Sequence, residues 1–192
     1  MSGGRIVLAS ANLHKAAEFA RLLPGYEVTP FEGELPLETG VTFLENARLK
    51  AHHVHRAAGG RAWVLADDSG IEAAALGGAP GVYSARYAGE GATDAQNLAK
   101  LLEALRGRGD RRVRYVAELV AISLQGRELN ARGELRGNLA PEPRGGGGFG
   151  YDPAFVAEGE TRTVAEMSAA EKDAVSHRAR AAALLRPQLE RE

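Results

Sequence analysis

Apolar and polar residues recur along this chain with two periods, one typical of strands and one typical of helices. Residues 5–9 form a short apolar run that predicts a buried strand. Within residues 13–23, Ala16, Phe19 and Leu23 recur at helical spacing, which predicts a helix that ends at a Pro-Gly pair. A strand followed directly by a helix is the beginning of an α/β arrangement.

Three further helices are predicted from the residues that cap them. They are expected over 42–58, 93–105 and 168–185. Each begins with Ser or Thr, and the first and third carry Glu three residues later, which is the capping-box pattern. A Gly-Gly pair ends the first of these helices, since glycine readily adopts the left-handed conformation found at helix ends.

Further apolar runs predict the remaining strands. Residues 26–31 and 62–66 are two of them, and 113–124 and 127–135 form a pair joined by a tight connection. Helices alternate with strands early in the chain, while strands predominate in its middle. We therefore expect a mixed α/β fold, with a central sheet flanked by helices and an antiparallel part from mid-chain. No polar linker divides the chain, so residues 1–192 are predicted to form one domain.

Composition places the chain among ordinary globular proteins. Of its 192 residues, 44% are hydrophobic, and 24 Lys and Arg balance 25 Asp and Glu to a formal net charge of −1. Proteins that bind nucleic-acid polymers or anionic membranes are normally basic, so neither partner is expected. The absence of cysteine excludes disulfides, thiolate zinc sites and cysteine nucleophiles. No apolar run approaches the roughly 20 residues that span a bilayer, and the first is too short for a secretory signal, so we expect a cytoplasmic protein.

Several common catalytic motifs are absent from the sequence. It contains no P-loop, no G-x-S-x-G elbow and no H-E-x-x-H zinc helix. Gly145, Gly147 and Gly150 match G-x-G-x-x-G by letter. However, no strand precedes them and Pro153 favours an extended residue before it, so no helix is expected there and a dinucleotide site is rejected.

The segment after the first strand is a candidate anion site. Ser10, Asn12 and Lys15 lie where a strand end meets a helix N-terminus. Backbone N–H groups and the helix dipole favour negative charge at such a place, and Lys15 adds a positive charge. Alternatively, Ser10 or Asn12 only caps the helix. The residues themselves leave both interpretations open.

The strongest local signal is the carboxylate pair Asp67–Asp68 at the expected end of a strand. Open α/β sheets bind ligands at this edge, and adjacent like charges are costly unless a cation or a proton holds them. Mg²⁺ prefers oxygen ligands and is commonly held by one or two carboxylates together with substrate phosphates. Glu38 lies in a loop and is free to be a second ligand, whereas capping explains Glu45. A polar turn is the alternative interpretation of the pair.

Two more candidate groups lie nearer the C-terminus. Residues 149–152, Phe-Gly-Tyr-Asp, could present an aromatic face and polar groups to a planar base, although an aromatic plug at a sheet end explains them equally well. Lys172, His177 and Arg178 place potential hydrogen-bond donors on one predicted helix. An ordinary surface helix would explain these residues as well. Only four of the 24 basic residues are lysine, which reflects either a specific role for these four or chance.

Taken in order, these segments resemble one family, the inosine triphosphate pyrophosphatases, which hydrolyse deaminated purine nucleoside triphosphates. The resemblance extends over nearly the whole chain, and three of the four lysines lie on its motifs. The family usually has glycine at the position of Ala11, a difference that matters if the position needs a positive φ. The motifs are SANLHK (10–15), ETGVTFLENA (38–47) with Lys50, ADDSG (66–70), GAPGVYSAR (78–86), GFGYDP (148–153), and EK (171–172) with SHR (176–178).

The resemblance implies two lobes with the nucleotide in a cleft between them, a homodimer, and Mg²⁺ as cofactor. It implies that Asp68 is the catalytic carboxylate and a metal ligand, with Glu38 as a second metal-site carboxylate. The phosphate-side contacts that it implies are Ser10, Ala11, Asn12, Leu13, His14, Lys15, Lys50 and Ser69. The nucleoside-side contacts that it implies are Phe149, Gly150, Tyr151, Asp152, Lys172, His177 and Arg178.

The implied reaction is Mg²⁺-dependent hydrolysis of ITP, dITP or XTP to the monophosphate and pyrophosphate. If His177 or Arg178 donates to the 6-oxo group of the base, adenine would leave that donor facing another donor, which disfavours ATP. The sequence does not distinguish among the three substrates. It also leaves open the metal count, a role for Asp67 as ligand, the oligomeric state and the means of rejecting guanine. A metal-dependent phosphatase of another small phosphate ester and a non-catalytic nucleotide-binding protein are the alternatives.

Overall fold

The computed structural model describes residues 4–191 and has a six-stranded sheet in the order β2-β1-β3-β4-β5-β6. β1 pairs in parallel with both β2 and β3, whereas β5 and β6 are antiparallel, so the sheet is mixed. The strands are β1 (Arg5–Leu8), β2 (Glu27–Pro30), β3 (Trp63–Ala73), β4 (Arg112–Ile122), β5 (Glu128–Leu139) and β6 (Phe155–Ala157). The predicted mixed α/β fold is confirmed.

Among residues 4–191, five α-helices accompany the strands, and three of them begin with a capping box, at Thr42, Thr93 and Ser168. None of the helices found in residues 4–191 is both long and apolar enough to cross a membrane. The helices are α1 (Leu13–Leu22), α2 (Phe43–Ala58), α3 (Asp94–Ala104), α4 (Ala169–Val175) and α5 (His177–Leu189). Short 3₁₀ helices occupy Ala74–Leu76, Gly81–Arg86 and Val164–Glu166.

The described residues fall into two compact units, each with its own core. The first unit comprises residues 4–68, 117–133 and 178–191, and the second comprises Ser69–Val116 and Glu134–His177. The chain of β3, β4 and β5 passes through both units. The single domain with a nucleotide cleft stays a prediction.

Two hydrophobic clusters form the core of the first unit, and the alternation of its strands separates them. Along β1, Ile6 and Leu8 belong to one cluster, whereas Val7 belongs to the other. The first cluster includes residues of α1 and α5, and the second includes residues of α2. Because successive strand residues point to opposite faces, the sheet of this unit is covered by helices on both sides.

The second unit has a core of its own that is richer in aromatic residues. Leu98 and Leu101 of α3 pack there with Tyr115 of β4 and Phe155 of β6, all of them nearly or completely buried. Gly70 of β3 directly precedes Ile71 of this core, and its backbone packs against Ser84.

The largest differences from the expected boundaries are in β3 and near the C-terminus. β3 does not end at residue 66 but continues through the Asp-Asp-Ser-Gly segment to Ala73. The last predicted helix is two helices, because Ser176 is extended, with φ −62° and ψ 156°, and α5 begins after it. α5 also includes Pro187 two residues before its end. Proline there removes one hydrogen bond from the final turn, a smaller loss than in mid-helix.

Replacement of Gly70 by alanine is expected to destabilise the second unit. A Cβ at this position would collide with the Ser84 hydroxyl and lie 2.7 Å from the Gly81 carbonyl oxygen, so packed atoms would have to move. We expect Gly70→Ala to lower the free energy of unfolding by about 1–3 kcal/mol, measured by urea denaturation. Gly109→Ala is the matched control, since a Cβ there meets no atom within 4 Å. Equal stability of the two variants would contradict this assignment.

Candidate active site

The alternation of β3 carries its two aspartates to opposite faces of the strand. Asp67 shares a face with Leu65, which packs in the cluster containing α1 and α5. Asp68 shares the other face with Ala66, which packs in the cluster containing α2. The two carboxylates therefore lie on opposite faces of β3, next to different hydrophobic clusters. This separation lessens the repulsion expected between adjacent aspartates.

Asp67 is fully buried and is bound by two cations. Its Oδ2 lies 2.7 Å from Lys15 Nζ and accepts a hydrogen bond from Arg178 Nε at 3.1 Å. Arg178 Nη1 in turn donates to Glu18 Oε2 at 3.3 Å, and both of these side chains are buried. Burial alone would raise the pKa of Asp67, but Lys15 and Arg178 hold that pKa well below its usual range. Burial also lowers the pKa of the Lys15 ammonium, against the opposing effect of Asp67.

Asp68 shares a single cation with a second carboxylate. Lys50 Nζ donates to Asp68 Oδ1 at 2.7 Å, to Glu38 Oε1 at 2.9 Å and to the backbone oxygen of Asp67 at 2.9 Å. Burial, aided by the charge of Glu38, raises the pKa of Asp68 to about 6 in spite of Lys50. The two carboxylates raise the pKa of Lys50 although burial opposes this. The single positive charge of Lys50 therefore does not fully neutralise the two carboxylates, Glu38 and Asp68.

Asn46 connects the loop that carries Glu38 to Asp68. Its Oδ1 accepts a hydrogen bond from Gly40 N at 2.7 Å, and its Nδ2 contacts Asp68 Oδ2 at 3.4 Å. Asn46 is completely buried on the same face of α2 as Lys50, four residues later. This asparagine therefore helps to fix the orientation of the Asp68 carboxylate.

The segment before α1 has the structure of a helix cap. Asn12 Oδ1 accepts hydrogen bonds from His14 N at 2.9 Å and Lys15 N at 3.1 Å, and Ser10 Oγ accepts one from Asn12 N at 3.1 Å. Asn12 therefore caps α1, and binding of an anion by the same segment stays a prediction. Leu13 is 72% exposed, and its predicted phosphate-side contact stays a prediction.

In the second unit, Asp152 is the centre of another polar cluster. Its Oδ2 accepts hydrogen bonds from Lys172 Nζ at 2.6 Å and Phe149 N at 2.9 Å, and its Oδ1 accepts one from the Tyr115 hydroxyl at 3.1 Å. Asp152 is only 2% exposed. The Lys172 ammonium also lies 4.6 Å from the ring centroid of Phe149, within the range of a cation–π contact.

The predicted aromatic segment divides between two roles. Tyr151 is buried, donates its hydroxyl to the Ser84 backbone oxygen at 2.7 Å, and has its pKa raised by burial, so it is a core plug. Phe149 is partly exposed and is the candidate aromatic face. Gly150 has a φ of +64° and donates its N–H to Asp94 Oδ2 at 2.7 Å, which fixes the turn between the two rings.

His177 begins α5 and stacks on an aromatic ring. Its imidazole lies 4.6 Å from the ring of Tyr115 with an interplanar angle of 15°. The Tyr115 ring also stacks on Phe155, with centroids 4.4 Å apart and an interplanar angle of 18°. Extended Ser176 separates α4 from α5, so Lys172 and His177 do not lie on one continuous helix.

The comparison with known proteins identifies the family of this chain. The sequence profile of the Ham1 family matches residues 6–188. The chain belongs to the Ham1 family. A dITP/XTP pyrophosphatase of Mycobacterium tuberculosis is 48% identical over 96% of this chain and 95% of its own. One from Ralstonia nicotianae is 51% identical over 94% of each chain. The resemblance found in the sequence motifs is confirmed.

Solved structures of the Ham1 family have the same fold. The Ham1 protein of Staphylococcus aureus is 39% identical and aligns with a TM-score of 0.85 over 97% of this chain and 98% of that one. A HAM1 protein from Coxiella burnetii is 42% identical, with a TM-score of 0.87 over 98% and 99% of the two chains. The mixed sheet with flanking helices is thus the fold of this family.

Ala11 is where this chain differs from the glycine that the family usually carries. No residue other than glycine has a positive φ among residues 4–191. The backbone at Ala11 is therefore compatible with a side chain, and the substitution introduces no left-handed strain.

The structure sorts the predicted site residues into two groups. In the first unit, four of them lie around the middle of β3: Lys15, Glu38, Lys50 and Asp68. Arg178 was expected among the nucleoside-side residues, but it binds Asp67 and so belongs to this group. In the second unit, the group consists of Phe149, Asp152, Lys172 and His177. Tyr115 contacts both Asp152 and His177. Ser69 is half-buried at the next position of β3, and His14 is exposed. Their predicted roles stay predictions.

Sequence reasoning missed three residues of these clusters. Asn46 could have been found, because it is a polar residue on the apolar face of a predicted helix, one turn before Lys50. Glu18 and Tyr115 carried no such signal, since their partners lie 160 and 37 residues away along the chain.

The two predicted metal ligands, Glu38 and Asp68, lie on one side of β3, and a role for Asp67 as a ligand stays open. No group of three histidine or acidic residues in residues 4–191 is arranged to hold a metal ion. Glu38 and Asp68 both accept hydrogen bonds from Lys50 Nζ, so their side chains lie close to each other around this ammonium. Asp67 lies on the opposite face of β3 and is bound by Lys15 and Arg178.

The lowered pKa of Asp67 predicts a pH-dependent contribution to stability. The unfolded chain takes up a proton at Asp67 near its ordinary pKa of about 3.9, whereas the folded protein does so only at lower pH. The contribution is therefore fully present above pH of about 5 and is lost as the pH falls towards the folded pKa. We expect Asp67→Asn to unfold about 3–5 kcal/mol more easily at pH 7, because Lys15 and Arg178 lose their counter-charge.

The measurement is urea denaturation of both proteins between pH 7 and pH 3. The stability difference should narrow as the pH falls, since titration of all other carboxylates is common to the two proteins. A difference that stays constant over this range would contradict the assignment of a lowered pKa to Asp67.

Proposed function

We propose that this chain is a metal-dependent nucleoside triphosphate pyrophosphatase that hydrolyses ITP, dITP and XTP to the monophosphate and pyrophosphate. The observation that carries the proposal is the buried Lys50 ammonium, which is shared by Glu38 and Asp68. The names of the Ham1 relatives, which are dITP/XTP pyrophosphatases, supply the substrate class.

The charges around β3 favour binding of a further cation. A triphosphate is a polyanion, and carboxylates without compensating charge would repel it. The groups described here include three cations and four carboxylates. They are Lys15, Lys50 and Arg178 against Glu18, Glu38, Asp67 and Asp68. Added positive charge is therefore required before phosphate binding becomes favourable.

Glu38 and Asp68 are the residues that would hold Mg²⁺. Carboxylate oxygens are its preferred protein ligands, and the shared Lys50 ammonium holds these two side chains close to each other. When bound, Mg²⁺ would orient the attacking water, lower its pKa and neutralise phosphate oxygens.

Asp68 is the group that would accept the proton of the attacking water. Its side chain is only 8% exposed, and Lys50 and Asn46 contact its two oxygens. A carboxylate held in one orientation acts as a general base when the water lies within hydrogen-bond reach. Its buried environment also excludes competing solvent.

Lys15 and Lys50 would stabilise the charge that develops on the pyrophosphate. Phosphoryl transfer depends mainly on positioning and electrostatic stabilisation, and preformed cations provide both. The backbone of Ser10–Lys15 and the Ser69 hydroxyl supply further phosphate-side contacts in this proposal. Asn12 already accepts two of the N–H groups there, so its own role is to hold the segment in shape.

In the second unit, Phe149, Asp152, Lys172 and His177 would contact the nucleoside. We assign the donor to the 6-oxo group to His177 in preference to Arg178, because Arg178 is bound by Asp67 and Glu18. A donor aimed at the 6-oxo group disfavours adenine, whose 6-amino group would leave it unpaired. Homodimerisation and a cytoplasmic location complete the proposal.

Replacement of the proposed base should abolish turnover and leave the fold intact. We expect Asp68→Asn to lower kcat by about 10²- to 10⁴-fold, the typical contribution of general-base catalysis. The assay is pyrophosphate release from ITP with Mg²⁺, and urea denaturation confirms folding. Asp110→Asn makes the same chemical change at a partly exposed position outside the candidate site and should retain full activity. Turnover within threefold of the unmodified protein would remove Asp68 from this role.

The identity of the products and the choice of base test the reaction itself. With Mg²⁺, ITP should yield IMP and pyrophosphate, whereas IDP and phosphate would indicate a phosphatase. We expect kcat/KM for ITP and XTP to exceed that for ATP by a factor of order 10⁴, because ATP leaves a buried donor unpaired. Equal rates for all purine triphosphates would refute the donor assignment, and binding without turnover would indicate a non-catalytic nucleotide-binding protein.

A further inference from the structure

We infer that Tyr115 is a positioning residue for base recognition, through its hydroxyl on Asp152 and its ring on His177. Both partners belong to the second unit and are proposed nucleoside contacts, but Tyr115 itself lies on none of the sequence motifs. The inference rests on the proposed function, because it concerns how that same site recognises its base.

The hydroxyl completes the hydrogen bonding of a buried carboxylate. Of the three donors to Asp152, Lys172 Nζ and Phe149 N belong to the candidate site, and the Tyr115 hydroxyl, at 3.1 Å, comes from β4. A strand is a more rigid support than the glycine-rich turn before Phe149. Tyr115 therefore fixes one oxygen of Asp152, which leaves the other to orient Lys172.

The ring of Tyr115 determines the plane of the His177 imidazole. The two rings are nearly parallel, with centroids 4.6 Å apart, and His177 is only 4% exposed. Phe155 stacks on Tyr115 with centroids 4.4 Å apart, and this packing restrains the position of the tyrosine ring. Rotation of the imidazole out of this plane would lose its contact with Tyr115.

These two contacts can be separated by mutation. Tyr115→Phe keeps the stacked ring and removes only the hydroxyl, whereas Tyr115→Leu removes both. Tyr115 belongs to the second unit, whereas the carboxylates and lysines of the proposed chemical step belong to the first. The effects should therefore fall on KM and on base selection and leave kcat for ITP nearly unchanged.

The kinetic experiment compares ITP and ATP hydrolysis by the full-length protein with Mg²⁺. We expect Tyr115→Phe to raise KM for ITP about threefold to tenfold, since a hydrogen bond to a charged group is lost, with kcat within twofold. Tyr115→Leu should in addition lower the preference for ITP over ATP by about tenfold or more. Tyr26→Phe removes a tyrosine hydroxyl in the first unit and should match the unmodified enzyme.

A structural readout accompanies the kinetics and does not depend on turnover. The NMR signals of the His177 ring protons should be shifted by the adjacent Tyr115 ring, retained in Tyr115→Phe and moved in Tyr115→Leu. Urea denaturation identifies any variant that does not fold, and Tyr115→Phe preserves the packing if Tyr115→Leu fails.

The outcomes distinguish this inference from the function on which it rests. If the unmodified protein releases no pyrophosphate from ITP, the proposed function is wrong and the role of Tyr115 falls with it. If it does so and folded Tyr115→Phe keeps both its KM and its ITP preference, the role of Tyr115 alone is overturned. A fall in kcat at unchanged KM would also overturn it, because that pattern belongs to the chemical step.

Discussion

The two-residue period of β3 is the constraint on which the candidate site depends. It sends Asp67 and Asp68, neighbours in sequence, to opposite faces of one strand, where different helices meet them. Two carboxylates on a single face would share their neighbours, and repulsion would keep one of them protonated. Separated by the strand, they acquire separate partners. One strand thus supports two electrostatic environments that differ although the residues are adjacent.

The two environments differ in their supply of positive charge. Asp67 is bound by both Lys15 and Arg178, and its ionised form keeps these two cations together in a buried place. Asp68 must share Lys50 with Glu38, so a carboxylate there is incompletely neutralised. A fully compensated carboxylate suits a structural role, whereas one short of positive charge suits binding and chemistry. Lys50 also donates to the backbone oxygen of Asp67, which ties the reactive side of the strand to the structural side.

Features of the fold that depend on neighbours in sequence could be predicted. The capping boxes at Thr42 and Ser168 involve residues three apart, and both formed as expected. The end of β3 could not be predicted, because polar residues normally end a buried strand and here distant cations compensate them. Lys15 and Arg178 lie 52 and 111 residues from Asp67. Likewise, a single helix was expected near the C-terminus because nothing local at Ser176 indicates its extended conformation.

The site shows the same division between local and distant information, and its chemistry explains why both kinds are needed. Lys15, Lys50 and Asp68 could be identified from residue type alone. Binding of a polyanion requires charged side chains, and these can be recognised directly in the sequence. Recognition of an uncharged base demands orientation instead, and orientation comes from contacts such as Tyr115 with Asp152 that only the fold creates. An unpaired buried donor discriminates strongly only if it cannot turn away from the wrong base. Selectivity should therefore depend more than turnover does on residues that no motif contains.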